Sequence, residues 1–214
     1  MTPAVIISTD SLLMLSKIAE ANFPSRFGHF RIFGFEGQYG ADVQECVVLR
    51  MGDLSPAAGG APLVRIHSEC LTGDVFHSLR CDCRSQLELA LNLIAAEGRG
   101  LIIYEHQEGR GIGLLNKLRA YELQDHGLDT VEANVELGFE ADLRDYQMPG
   151  DILRYFDVRG VRLLSNNPEK IAALERAGVE VVERIPCIVP PHEAPRESAG
   201  YLLTKKQKMG HLLD

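Results

Sequence analysis

The strongest constraint on the fold is a change of hydrophobic rhythm near residue 85. Before it, apolar runs at residues 30–35, 46–51 and 63–66 read as strands, with Pro56-Ala57-Ala58-Gly59-Gly60 a loop by composition. From 85 to 97 the pattern turns helical, because Leu87, Ala90, Leu91 and Ile94 recur at i, i+3, i+4, i+7. Gly98 then stands where a helix C-cap belongs. Residues 101–104 predict a short buried strand, and 114–124 a second amphipathic helix ended by Gly127. Helix 152–158, strand 161–164, helix 171–177 and strand 179–182 follow in alternation. Such alternation predicts an α/β fold, a layered mixed sheet with flanking helices in a single domain. Residues 186–199 carry four prolines without periodicity and read as irregular, and 202–213 as an arm or a closing helix.

Composition narrows the class. The chain has 214 residues, 45 % of them hydrophobic, enough apolar surface for a packed core rather than a disordered chain. No run reaches the ~20 apolar residues of a membrane span. The formal charge of −8 argues against a general nucleic-acid binder, although local arginines decide the fate of a small anion. The N-terminal stretch lacks a basic leader and carries Asp10, so it does not read as a signal peptide, and a cytoplasmic location is expected. Five cysteines, an odd number, favour metal or thiolate chemistry over disulfides.

Three of those cysteines, Cys70, Cys81 and Cys83, lie within fourteen positions. Zinc prefers four ligands, and three thiolates leave one place for a water whose pKa falls to about 7. Two other readings compete: a closed structural site completed by His67 or His77, and three unmetallated core thiols. His67-Ser68-Glu69 also matches half of a zinc nucleobase-deaminase signature, but Cys81-Asp82-Cys83 is not its P-C-x-x-C half.

Two strand-to-helix junctions are candidates for binding an anion. Glu108-Gly109-Arg110-Gly111-Ile112-Gly113 offers backbone N–H groups and a guanidinium, in neither a Rossmann nor a Walker A pattern. In Ser165-Asn166-Asn167-Pro168-Glu169-Lys170, Asn167 reads as an N-cap and Pro168 as the first helical residue. Asp142-Leu143-Arg144 sets a carboxylate and a guanidinium two residues apart, and Arg65, Arg80, Arg84, Lys117 and Arg119 add positive charge nearby.

These stretches together resemble GTP cyclohydrolase II of riboflavin biosynthesis. The resemblance is carried by Arg65-Ile66-His67-Ser68-Glu69-Cys70-Leu71-Thr72-Gly73-Asp74, by Ser78 through Cys83, by Gln107 through Leu115, and by Asp129-Thr130-Val131-Glu132-Ala133-Asn134. It continues through Ser165 to Lys170 and ends in Lys208-Met209-Gly210-His211-Leu212-Leu213. It covers residues 23–214 and leaves 1–22 as an N-terminal extension. The resemblance implies a homodimer that opens the imidazole ring of GTP and releases formate and pyrophosphate. By position, Cys70, Cys81 and Cys83 would hold one Zn²⁺ per subunit, and Mg²⁺ would accompany the triphosphate. Asp142 would be the proton acceptor, Arg144 a nucleophile or stabiliser at the α-phosphate, and Tyr121 a catalytic tyrosine. GTP contacts would come from Arg65, Ile66, His67, Ser68, Glu69, Gln86, Glu108, Gly109, Arg110, Thr130, Ser165 and Lys170. A relative that stops at the formylamino intermediate, and a non-catalytic GTP-binding protein with structural zinc, are the alternatives. Arg84, His106, Ser165 and Glu169 depart from the family's usual residues.

Overall fold

The computed structural model describes residues 5–7, 14–189 and 198–213. Eight strands form one mixed sheet in the order β1-β2-β3-β4-β6-β5-β7-β8. Strands β1 (Val5–Ile7), β2 (Met14–Ser25), β3 (Gly28–Tyr39) and β4 (Asp42–Met51) form an antiparallel meander. Its last strand pairs antiparallel with β6 (Gly100–Glu105). From β6 onward the sheet is parallel, through β5 (Leu63–Ser68), β7 (Gly160–Leu164) and β8 (Glu180–Ile185). The strands read from sequence are present, and β1 and β2 are additional. Residue 22, the expected end of an extension, falls inside β2, while residues 1–4 and 8–13 lie outside the described residues.

Strand β5 is buried on both faces, as a central parallel strand must be. Its alternation sends Val64 and Ile66 to one side, where they pack with Phe33, Phe35 and Ile152. Leu63 faces the other side with Ala90, Leu91 and Ile94 of α2 (Cys83–Glu97), and period two aims Arg65 and His67 the same way. Gly98 ends α2 in the left-handed conformation at φ 72°, as the sequence predicts. Helix α1 (Leu71–Asp74) precedes α2, and α3 (Leu114–Asp125) and α4 (Thr130–Glu136) follow β6.

The remaining helices match the sequence expectation to different degrees. Helix α4 starts from a capping box, in which the Asp129 side chain accepts from the backbone N–H of Val131 and Glu132 and the Glu132 side chain from that of Asp129. Helix α5 is Gln147–Tyr155 rather than 152–158, because Pro149 is tolerated in a first turn that needs no N–H from it. It stops before Asp157, whose φ of 53° turns Val158 back into the core. Helix α6 (Pro168–Arg176) begins as predicted, with the Asn167 side chain accepting from Glu169 N. Of the stretch expected to be irregular, 190–197 lie outside the described residues, and Ala199 already belongs to α7 (Ala199–Met209).

Candidate active site

The parallel strands β5, β6 and β7 end side by side, and every junction singled out in the sequence leaves from one of those ends. That is where layered α/β sheets place their ligands. A cavity opens there. Seven of the chain's 22 lysines and arginines line it, so a chain of net charge −8 encloses a cationic hollow.

Cys70 follows β5, Cys81 precedes α2 and Cys83 is the first residue of α2. Their three Sγ atoms lie within 4.8 Å of one another, Cys70 to Cys81 at 3.7 Å. Gly73 clears the space between them: a Cβ there would sit 3.0 Å from the sulfurs of both Cys70 and Cys81. The Cys70 thiol is driven well down by hydrogen bonds from Cys81 and Cys83 and by Lys117, whose Nζ lies 3.1 Å from its sulfur. Sulfurs so gathered, one of them anionic, fit a zinc ion.

No histidine or carboxylate joins the three sulfurs among the described residues. His67 Nε2 is taken by Asp74 at 3.1 Å, a carboxylate that also accepts from Tyr104 OH at 2.9 Å and Cys70 N at 3.1 Å. Burial lowers the His67 pKa, and its Nδ1 is shielded from water without a partner. His77 stands in a left-handed turn at φ 58°. Arg84, one of the departures, donates to the Asp74 carbonyl at 2.7 Å and so ties α1 to α2.

Helix α3 presents Lys117 and Tyr121, one turn apart, toward the cysteines. Lys117 also reaches Glu108 at 2.7 Å, and the Glu108 carboxylate is filled by that ammonium and by the N–H groups of Leu71 and Gly109. Tyr121 OH lies 3.1 Å from Thr72 Oγ1. Its pKa is raised by burial, so the phenol keeps its proton. The Arg80 guanidinium covers the ring at 4.7 Å.

The turn after β6 is strained. Gly109 and Arg110 both adopt left-handed backbone, at φ 64° each, and Arg110 donates to Thr130 Oγ1 at 3.1 Å. Leu143 N donates to Arg110 O at 3.0 Å, and Gln107 bonds the Asp145 backbone twice, so the 142–145 loop is zipped to this turn. Gly111 permits the approach, since a Cβ would meet Leu143 Cβ at 3.0 Å. Arg144 therefore faces the cavity beside Arg110, while Asp142 grips its Nε at 2.8 Å from behind. Burial opposes ionisation of Asp142, but hydrogen bonds and charge from Arg144 hold its carboxyl below the usual range.

Ser165, Asn166 and Asn167 close the far wall with Lys170, whose Nζ donates to Ile66 O at 2.8 Å. Burial, Arg65 and Arg144 push the Lys170 pKa well down. Arg65 donates to Leu164 O and to Gln86 Oε1 at 2.9 and 2.8 Å. Sixteen of the eighteen residues named from sequence line the cavity. The exceptions are Ile66, whose side chain lies in the core, and Asp142, which stands behind Arg144. Glu105 was not anticipated: it is buried beside Lys170 and Arg144, and burial lifts its carboxyl to about 7. Tyr201, Lys205 and His211 also line the cavity and had no assigned role, although His211 belongs to the motif at 208–213.

A family model described as GTP cyclohydrolase II matches residues 16–186. Curated relatives named GTP cyclohydrolase-2 are similar along nearly the whole chain. The one from Klebsiella pneumoniae strain 342 is 53 % identical over 203 residues, 94 % of this chain and 98 % of its own length. That from Proteus mirabilis strain HI4320 is 53 % identical over 202 residues, with the same shares. That from Actinobacillus succinogenes is 51 % identical over 199 residues, 93 % of this chain and 88 % of its own.

Proposed function

The chain belongs to the GTP cyclohydrolase II family, and from that premise we propose that it hydrolyses GTP to formate, pyrophosphate and 2,5-diamino-6-(ribosylamino)-4(3H)-pyrimidinone 5′-phosphate. Both C8–N bonds of the imidazole ring and the α–β phosphoanhydride are hydrolysed. The observation that carries this reading is the juxtaposition, in one cavity, of three converging thiols and a ring of cations around Arg144.

Cys70, Cys81 and Cys83 would hold the Zn²⁺. Zinc with three protein ligands supplies hydroxide from water near neutral pH, as hydrolysis at C8 requires. Tyr121, protonated and one hydroxyl away from the cysteine loop, would donate to a purine nitrogen as its C–N bond breaks. Asp142 fixes the Arg144 guanidinium through two contacts, leaving its remaining N–H groups for an α-phosphate oxygen. Asp142 is ionised in this pair and able to take up a proton. Arg110 and Lys170 neutralise the rest of the phosphate chain. The Mg²⁺ would ride on the triphosphate oxygens, its usual mode in nucleotide sites. A cytoplasmic homodimer without nucleic-acid partners completes the reading. Among the described residues no helix is long and apolar enough to cross a membrane.

The test is to incubate the protein with GTP and Mg²⁺, with and without a zinc chelator, and read products by mass with formate and pyrophosphate assays. Both products, lost on chelation, are expected. Pyrophosphate with a retained formyl group identifies the shortened reaction instead. GTP binding without turnover in zinc-loaded protein overturns the catalytic reading.

A further inference from the structure

Helix α7 and the turn after it supply Tyr201, Lys205 and His211 to the cavity wall. They are pinned from three directions. Leu212 N donates to Asn166 O at 2.9 Å, and Lys208 pairs with Glu132 at 2.9 Å and with Asp129 at the start of α4. Lys205 reaches toward Asp82, between two of the cysteines, at 3.9 Å. Gly210, left-handed at φ 63°, folds the chain back so that His211 N donates to Lys205 O at 3.1 Å. That fold sets the His211 ring and the Lys205 ammonium into the cavity, the latter 4.2 Å above the Tyr201 ring.

The polar groups here are incompletely satisfied. His211 Nε2 and Arg110 Nη1 are both cut off from water without a hydrogen-bond partner. Buried donors in that state cost stability unless a ligand completes them. Lys205, Arg110, Arg144 and Lys170 all bear on the His211 ring and, with burial, keep it neutral. A neutral imidazole can offer Nε2–H to an oxygen acceptor. Four basic side chains from four separate elements therefore converge on this ring, an arrangement suited to a polyanion.

We infer that Lys205 and His211 contact the phosphate chain of the bound nucleotide, so that the C-terminal helix forms a working wall of the site. The inference rests on the reading of the substrate as GTP, but its test separates the two. Binding of inorganic tripolyphosphate, with Mg²⁺, is measured by calorimetry for the parent, Lys205→Met, Lys205→Arg and His211→Ala, with zinc content and melting temperature recorded for each. Arg159→Met, a fully exposed cation away from the cavity, controls for net charge and leaves the affinity unchanged. Lys205→Met should weaken tripolyphosphate binding about tenfold or more, the loss expected of one charge-assisted hydrogen bond, with Lys205→Arg restoring most of it. His211→Ala should weaken it about three- to tenfold. In steady-state assays Lys205→Met should raise KM for GTP and leave kcat within about threefold, the pattern of lost ground-state binding. Tripolyphosphate affinity within threefold of the parent, or a loss that arginine does not restore, overturns the inference. Lysine-dependent tripolyphosphate binding in a protein that leaves GTP intact would instead overturn the cyclohydrolase reading and spare this one.

Discussion

Gly73→Ala isolates the geometry of the sulfur cluster from its chemistry. The added methyl would stand 3.0 Å from Cys70 Sγ and Cys81 Sγ and 3.5 Å from Cys83 Cβ. Ordinary contacts of this kind lie near 3.5–4 Å, so both sulfurs must retreat by a few tenths of an ångström. Thiols free of metal can make that move by small torsions. Thiolates on zinc cannot, because Zn–S distances hold near 2.3 Å within about 0.2 Å. Overpacking of a tight site costs about 1–3 kcal/mol, and here nearly all of it falls on the metal-bound state, weakening zinc about 5- to 150-fold. The same methyl favours helix α1, where alanine is better than glycine by roughly 0.5–1 kcal/mol. The metal-free variant should therefore melt no lower than the metal-free parent. Competition with a chromogenic chelator gives the zinc affinity, and melting with and without chelator gives the two stabilities. Zinc affinity within twofold of the parent would refute the reasoning, as would an equal loss of stability in both forms.

Three further perturbations test the charged interior. The Glu105 carboxyl titrates at about 7 in the fold against about 4.3 unfolded, so the folded state holds an extra proton between those values. Stability should fall as pH rises through that window and level off above it; Glu105→Gln should flatten the profile and stabilise the protein at pH 8 by on the order of 3 kcal/mol. Parallel urea midpoints for variant and parent from pH 5 to 8 would contradict this. Lys170, held largely uncharged by burial and neighbouring cations, should take up a proton when an anionic nucleotide arrives. Calorimetry in buffers of differing ionisation enthalpy should register that uptake in the parent and not in Lys170→Met. Arg110→Gly relieves a left-handed arginine but removes its bond to Thr130, so stability should stay within about 1 kcal/mol while KM for GTP rises about tenfold or more; an unchanged KM would remove Arg110 from the site.

How much of this was legible in the sequence depended on whether a residue's role is local. Apolar runs and helical spacing marked β5, α2 and β7, and cap chemistry marked Gly98 and Asn167, because those signals are local to the residues concerned. The capping box at Asp129 and Glu132 was equally local and would have revealed α4. Spacing gathered the cysteines but left the fourth position open. Only the fold shows His67 turned to Asp74, a residue seven positions away that also fixes Tyr104 and the Cys70 backbone.

Charge was the property that sequence averaged away. A net −8 sums over the whole surface, whereas recognition of a triphosphate depends on the few cations whose elements converge on one crevice. Arg110, Arg144, Lys170 and Lys205 belong to a turn, a loop and two helices separated by up to 95 positions, and sequence spacing alone does not show that they meet. The parallel strands bring the first three to one rim. The last arrives through the left-handed turn at Gly210 and the Leu212–Asn166 bond, which are tertiary and carry no periodic signature. Burying so many like charges around a cavity destabilises the folded chain unless something anionic enters, and this is why the site's unsatisfied donors identify its ligand class better than its composition does.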